Sequence, residues 1–439
     1  MTHHLGFTLL MEASLQAVNP AVTIPYWEYT IDSAELGSDW RTSKIFSEDW
    51  FGNSGDKLFK SHHVTEGRWA DLAINTDATG MSPVTNAYGM LRSPWNLNDS
   101  PYVTRFNKVV GDSYFGGDLP SCSAVKSCFD STSLADMNVC LNGQTHGPIH
   151  VLIGGQWDVN LGERASRLIG PAHLLLFKDL WRRGYAKCPS TASEVDAGGT
   201  CACPSALVKA SGGAYEVLTA KSGAMHWMAA SSQGEIVYDS DEGKFHLAGD
   251  HTEAQEEEVW EDLLTKLCNP GQVGEMYSSS APYDPLFWVL HTTSERLLQY
   301  RRLKAVASAK DNVTMPFDET WGYSHMDSDS DIGVVCDWSS VSASDPTSVP
   351  VCTKGTCSGH KANDKLPFDL SAVSKKLGKG TTNQELYDWL SPTNPNIPYV
   401  YDTFKYEHCM AAGVDVGDSS GVQDDTDDIP APHEHGTPL

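Results

Sequence analysis

Apolar residues recur along this chain at two periods, and the elements they predict are mostly helices. From His4 to Val18, Phe7, Leu10, Met11, Leu15 and Val18 fall at three- and four-residue steps, which predicts an amphipathic helix ended by Asn19-Pro20. A denser apolar and basic pattern from Leu161 to Arg183, holding Leu174-Leu175-Leu176-Phe177 and Leu180-Trp181, predicts one buried helix. Glu253 to Cys268, with Val259, Trp260, Leu263, Leu264 and Leu267, reads as an acidic amphipathic helix. A further helix is entered from the Pro-marked turn at Tyr283-Asp284-Pro285, carries His291, and continues over Glu295 to Leu303. Strict alternation appears at Glu235 to Tyr238 and Lys244 to Leu247 around Asp239-Ser240-Asp241-Glu242-Gly243, which predicts a β-hairpin. Residues 30 to 140 hold few long periodic runs, and no internal repeat is apparent.

With 439 residues and 40% hydrophobic content, the chain is long enough for one large domain with insertions or for two ordinary domains. Acidic residues outnumber basic ones 57 to 31, a formal charge of -26 that repels phosphate backbones and anionic membrane surfaces. Nucleic acid is therefore excluded as a partner. No apolar run is long enough to span a membrane, and no export signal is expected in the sequence as given. The eleven cysteines sit in Gly/Ser/Pro-rich stretches and read as disulfides of a secreted or lumenal protein, with at least one thiol left over. Cys201-Ala-Cys203 and Cys352-x4-Cys357 lack the Cys-x2-Cys spacing of a structural zinc site. Sequons at Asn98 and Asn312 fit a secreted history.

The candidate chemistry lies in histidines. His146 and His150 stand four apart, one helical turn, so both imidazoles share a helix face, and His291 lies on a separate helix. Three imidazoles can converge on one metal, and such a set suits zinc, copper, iron or nickel while leaving a coordination position open.

The context of these histidines resembles a known family. Asp284-Pro285-Leu286-Phe287-Trp288, followed by His291 and by Glu295-Arg296, resembles the second-copper motif of the tyrosinase, catechol oxidase and molluscan haemocyanin family. His146-x-x-x-His150-x-x-x-Gly154-Gly155 resembles the other half of that motif. The resemblance implies that His146, His150 and His291 bind the second copper. It implies that His4, eight residues before Glu12 and upstream of Pro25-Tyr26-Trp27-Glu28, is the third ligand of the first copper. Only three residues precede His4, and His3 points about 100° away on a helix. The first site is accordingly expected to be incomplete here, through a missing N-terminus or degeneration, and the chain as written to be inactive or feeble as a phenol oxidase.

By the same resemblance the fold is mainly α, a four-helix bundle holding a di-copper centre, with long loops and a cysteine-rich insertion. Residues 1–405 are expected to form the copper domain, about 185–272 the insertion, and 406–439 an acidic disordered tail, the last thirty residues holding seven acidic and no Lys or Arg side chains. Phe46 to Gly55 and Tyr88 to Arg92 resemble the family's Gly- and Arg-bearing loops, while Leu366-Pro367-Phe368 and Tyr399-Val400-Tyr401 resemble elements closing its central domain. Glu295 stands where the family has aspartate and is expected to pair with Arg296 or a neighbour. His62-His63, His226, His246 and His251 read as loop and strand histidines. The implied activity is oxidation of ortho-diphenols to quinones by dioxygen with two coppers, no residue beyond the copper ligands being assigned a catalytic role. The alternatives are haemocyanin-like oxygen binding and a non-catalytic relative keeping only the second site. Gly147, where the family often has asparagine, offers no side chain to orient a water, so ortho-diphenol oxidation is expected to dominate over monophenol hydroxylation.

Overall fold

The computed structural model describes residues 2–54, 62–76, 84–110, 117–310, 315–321, 335–342, 345, 347–353 and 361–417. The fold is mainly helical, with three two-stranded antiparallel ribbons among the described residues. Asn312 and most of the acidic tail lie outside them. Helix α1 spans Thr2–Val18, α2 Tyr29–Leu36, α3 Cys122–Phe129, α4 Leu134–Cys140 and α5 Gly147–Gly154. These gather with a long helix, Leu286–Lys310, around one hydrophobic core. No helix among the described residues is long and apolar enough to cross a membrane.

Helix α1 forms as the sequence predicts, but it buries the other face. Leu5, Gly6, Leu9 and Glu12 turn inward, while Phe7, Leu15 and Val18 are 36%, 38% and 88% exposed. Two contacts account for this. Gly6 lies against Phe368, where a Cβ would stand 2.7 Å from the ring. The Glu12 carboxylate accepts from Thr23 Oγ1 at 2.9 Å and from the Ile24 N–H at 3.0 Å, pinning the chain that returns after Pro20.

The Leu286–Lys310 helix is buried on most sides. Asp284, fully buried, accepts from the Leu286 N–H at 3.0 Å and so caps a helix start whose first amide groups lack intrahelical partners. Its two oxygens also receive a bidentate fork from Arg105, at 2.7 and 2.8 Å, and Arg105 Nη1 donates to the carbonyls of Phe51, Gly52 and Asn53. A second buried pair joins Arg92 to Glu275 at 2.7 Å, with Glu275 also accepting from the Thr104 N–H and hydroxyl. The irregular stretch before residue 110 is thus tied to the helix frame by guanidinium forks. Glu295 does not pair with Arg296. Neighbouring positions diverge on a helix: Arg296 reaches Glu28 at 2.7 Å, whereas Glu295 accepts from Tyr399, Tyr401 and Gln299.

The stretch predicted as one helix over Leu161 to Arg183 is two. Helix α6, Gly162–Ile169, and helix α7, His173–Arg182, are separated by a 3-10 turn at Gly170–Ala172, where Pro171 lacks the amide hydrogen an unbroken helix requires. Together with the acidic helix Glu253–Leu267, capped reciprocally by Thr252 and Gln255, they enclose a second hydrophobic core that Trp95 and Leu97 join. The hairpin pairs Ile236–Asp239 with Lys244–Leu247 as the alternation predicts.

Five disulfides join Cys122 to Cys409, Cys128 to Cys140, Cys188 to Cys201, Cys203 to Cys268 and Cys336 to Cys352, and the eleventh cysteine, Cys357, lies outside the described residues. They mark a chain suited to an oxidising compartment. The sequon at Asn98 adds nothing to that reading, because Asn98 is 1% exposed and donates from Nδ2 to Thr104 Oγ1 at 2.8 Å.

Candidate metal centre

Helix α5 starts from a widened turn. Residues Leu141–Thr145 form a π-helical turn, and the His146 N–H reaches back to the Leu141 carbonyl at 2.7 Å. Gly147 follows because this turn leaves no room: a Cβ there would lie 1.9 Å from the Asn142 carbonyl oxygen. Pro148 then sits in the first turn of α5, where its missing N–H leaves no intrahelical bond unmade. His146 and His150 project from the same face of this short helix, one turn apart.

The structure brings all four proposed ligands together. His150 Nε2 lies 2.9 Å from His146 Nε2, His146 Nε2 lies 3.1 Å from His291 Nε2, and His4 Nδ1 lies 3.0 Å from His291 Nδ1. One nitrogen from each of His4, His146 and His291 can be chosen so that all three lie within 4.8 Å of one another. His4 arrives from α1, His146 from the cap residue just before α5, His150 from α5 itself, and His291 from the long helix. His4 thus stands against the other three rather than apart from them.

Two features prepare these rings to act as ligands. His150 Nδ1 lies 2.8 Å from the Met276 carbonyl, which can only accept, so Nδ1 carries the proton and the Nε2 lone pair faces the cluster. Burial, with the mutual repulsion of neighbouring imidazoles, pushes the His146 and His291 pKa values well below 6.5. Burial likewise lowers His150 to about 4, the Met276 carbonyl opposing the shift; His4, whose surface stays partly open to solvent, is also lowered, by the desolvation of its ring and by the neighbouring positive groups. All four are neutral near pH 7, the state a metal ligand requires. The Phe287 ring packs 4.0 Å from the His291 ring and covers one side.

A cavity of about 690 Å³ opens onto His4, His146 and His150 and is walled by Phe7, Trp227 and Phe287. A smaller one of about 170 Å³ lies behind, reaching Asn142, Ser294 and Glu295. The donor set is imidazole throughout, which suits a borderline metal such as copper. Among the described residues the other grouping of metal-ligating types is Cys122, His408 and Cys409, and its two sulfurs are bonded to each other.

The five histidines read from the sequence as loop and strand residues stand elsewhere. His62 stacks near Phe106 and Trp157, His63 pairs with Asp71 at 3.3 Å, His226 packs on Phe245, His246 lies 3.0 Å from Glu256, and His251 contacts the Ala248 carbonyl. Two features of the site's surroundings are marked by no motif. The Met276 carbonyl is a backbone group, which any residue supplies. Lys178, on the cavity wall, was visible only as a lone cation within the apolar run from Leu174 to Leu180.

Residues 1–165 match a family model described as the common central domain of tyrosinase, a span that holds His4, His146 and His150 and stops short of His291. A tyrosinase of Streptomyces lincolnensis is 26% identical over 166 residues, covering 35% of this chain and 50% of that protein. The chain thus spans about half the length of the curated relative it matches.

Proposed function

We propose that the chain is a member of the tyrosinase family and a copper-dependent oxidoreductase of the catechol oxidase type, taking ortho-diphenols to quinones with dioxygen. The observation that supports this best is the convergence of His146 and His150 with His291, contributed by a helix outside the matched span. In this reading His146, His150 and His291 hold one copper and His4 contributes to another. Bound copper supplies the redox chemistry that moves two electrons from a diphenol to dioxygen, which no side chain here performs unaided.

The chain's own residues shape where that chemistry occurs. The Met276 carbonyl fixes the His150 tautomer, so its lone pair is presented without rearrangement. Phe287 covers one side of the His291 ring, and Phe287 and Phe7 offer apolar surface to a phenol ring in the cavity. Gly147 presents no side chain to take a proton from a monophenol, whose hydroxyl keeps its proton at neutral pH with a reference pKa of about 10. A diphenol is accordingly the favoured substrate.

A relative with one copper site is a second reading, favoured by the single histidine cluster among the described residues. Copper per chain after equilibrium dialysis separates the two: two ions support the paired centre, one supports the single site. His291→Ala is expected to lose the copper held by His146 and His150, and unchanged copper content in that variant would overturn the ligand assignment. Oxygen uptake on a catechol by the copper-loaded chain tests the oxidase reading, which fails if addition of the catechol leaves uptake unchanged.

A further inference from the structure

Next to the histidine cavity lies a second one of about 660 Å³, and the two share Phe7, Lys178, Ser279 and Pro282 on their walls. The two adjoin along these four residues, so that the recess has the imidazoles lining one part and Trp95, Trp181 and Trp288 lining the other. Lys178, on α7, stands at the junction. Its ammonium lies 5.4 Å from the Trp95 ring centroid, and among the described residues no carboxylate forms an ion pair with it.

Charge makes this notable. The chain carries 57 acidic residues and a formal charge of -26, yet neither cavity is lined by an Asp or Glu among the described residues. Its ionic lining consists of Lys178, Arg92 and Arg182, and Arg92 is already engaged by Glu275. Burial, and then the nearby Arg182, lower the Lys178 pKa to about 8, so it remains mostly charged at neutral pH. A partly desolvated cation without an acidic partner is costly to keep and binds an incoming anion strongly.

We propose that Lys178 is a specificity-determining residue that binds the carboxylate of a phenolic acid, an aromatic ring bearing hydroxyls and a monoanionic side chain. The hydroxylated ring turns toward His146 and His150, and the tryptophan-lined annex takes the remainder of the substrate. The proposal rests on the oxidase reading only for the identity of the hydroxylated ring, since recognition of the carboxylate is a property of Lys178 and the recess.

The test uses a probe that cannot be oxidised as a catechol. Binding of 4-methoxycinnamate and of its uncharged methyl ester to the full 439-residue chain is followed by tryptophan fluorescence and calorimetry. The acid is expected to bind about tenfold more tightly than the ester, the preference weakening with salt, as for one charge-assisted hydrogen bond. Lys178→Met should reduce the acid to the affinity of the ester and leave the ester unchanged, while Lys178→Arg should keep the preference and serves where the methionine variant does not fold. Equal affinities of the wild-type chain for acid and ester, or an undiminished preference in folded Lys178→Met, would overturn the proposal. If the acid preference holds and catechol drives no oxygen uptake, the oxidase reading fails while the carboxylate site stands.

Discussion

His173 shows how burial alone sets a titration at the level of one residue. Its ring is fully buried, with Nδ1 3.1 Å from Gln156 Nε2 and Nε2 3.1 Å from the Lys266 carbonyl, which fits a neutral ring protonated on Nε2. Burial lowers its pKa from 6.5 to about 4, the carbonyl opposing that shift. A folded-state pKa below the unfolded one gives stability that is complete above pH 6.5 and is lost as pH falls through about 4, because the unfolded chain takes up the proton first. The loss across that window is on the order of 3 kcal/mol. His173→Gln should flatten the pH dependence of the urea midpoint between about pH 7.5 and about pH 5, and a variant with the wild-type slope would show that other groups carry it. Gly147 is constrained by space rather than charge. Since a Cβ would stand 1.9 Å from the Asn142 oxygen, Gly147→Ala must distort the π-turn before His146, at a cost of about 1–3 kcal/mol. The same crowding blocks any side chain that could orient a water there. Initial rates of the copper-loaded protein on a monophenol and its catechol should therefore differ widely, and comparable rates without a lag would remove Gly147 as the discriminating position.

At the scale of elements, the buried pair of Arg105 and Asp284 carries a heavy share of the frame. One guanidinium joins the start of the His291 helix to three carbonyls of the loop at Phe51 to Asn53. Arg105→Met should cost about 3–5 kcal/mol, because it leaves a buried carboxylate and those carbonyls unpartnered. A loss below about 1 kcal/mol in urea denaturation would contradict that weight. Elements whose cause is local were legible in the sequence: the hairpin from its alternation, the acidic helix from its amphipathic pattern, the His291 helix from Asp284-Pro285. The inward face of α1 was not, because what it meets is supplied by Phe368 and by the segment at Thr23 and Ile24, and the periodicity of a helix carries no record of partners outside it. The break between α6 and α7 was written in Gly170-Pro171 but outweighed by the apolar run around it. Of the site, the four histidines were legible because motif and spacing name side chains. The Met276 carbonyl was not, since its role depends only on where the backbone passes.

At the scale of the whole molecule, the Cys122 to Cys409 disulfide closes the longest covalent loop among the described residues, a sequence separation of 287. It fastens the segment after Tyr399 to α3, and so holds Tyr399 and Tyr401 over Glu295, whose carboxyl group burial pushes toward the neutral form. In the chain-entropy account such a loop removes roughly 6 kcal/mol of freedom from the unfolded state, more than a short loop such as Cys128 to Cys140. The histidine beside these sulfurs is not one of the four clustered ones but His408, whose Nε2 lies 3.3 Å from Cys409 Sγ and 2.8 Å from Thr30 Oγ1. Stability and metal binding should therefore separate. The double variant Cys122→Ala/Cys409→Ala is expected to lose several kcal/mol of unfolding free energy, more than Cys128→Ala/Cys140→Ala, while its folded fraction keeps the wild-type copper content. Urea unfolding followed by fluorescence, with copper measured on the same samples after dialysis, reads both quantities. Copper lost in proportion to neither unfolding nor aggregation would mean that the disulfide positions the histidines rather than merely joining the ends of the fold.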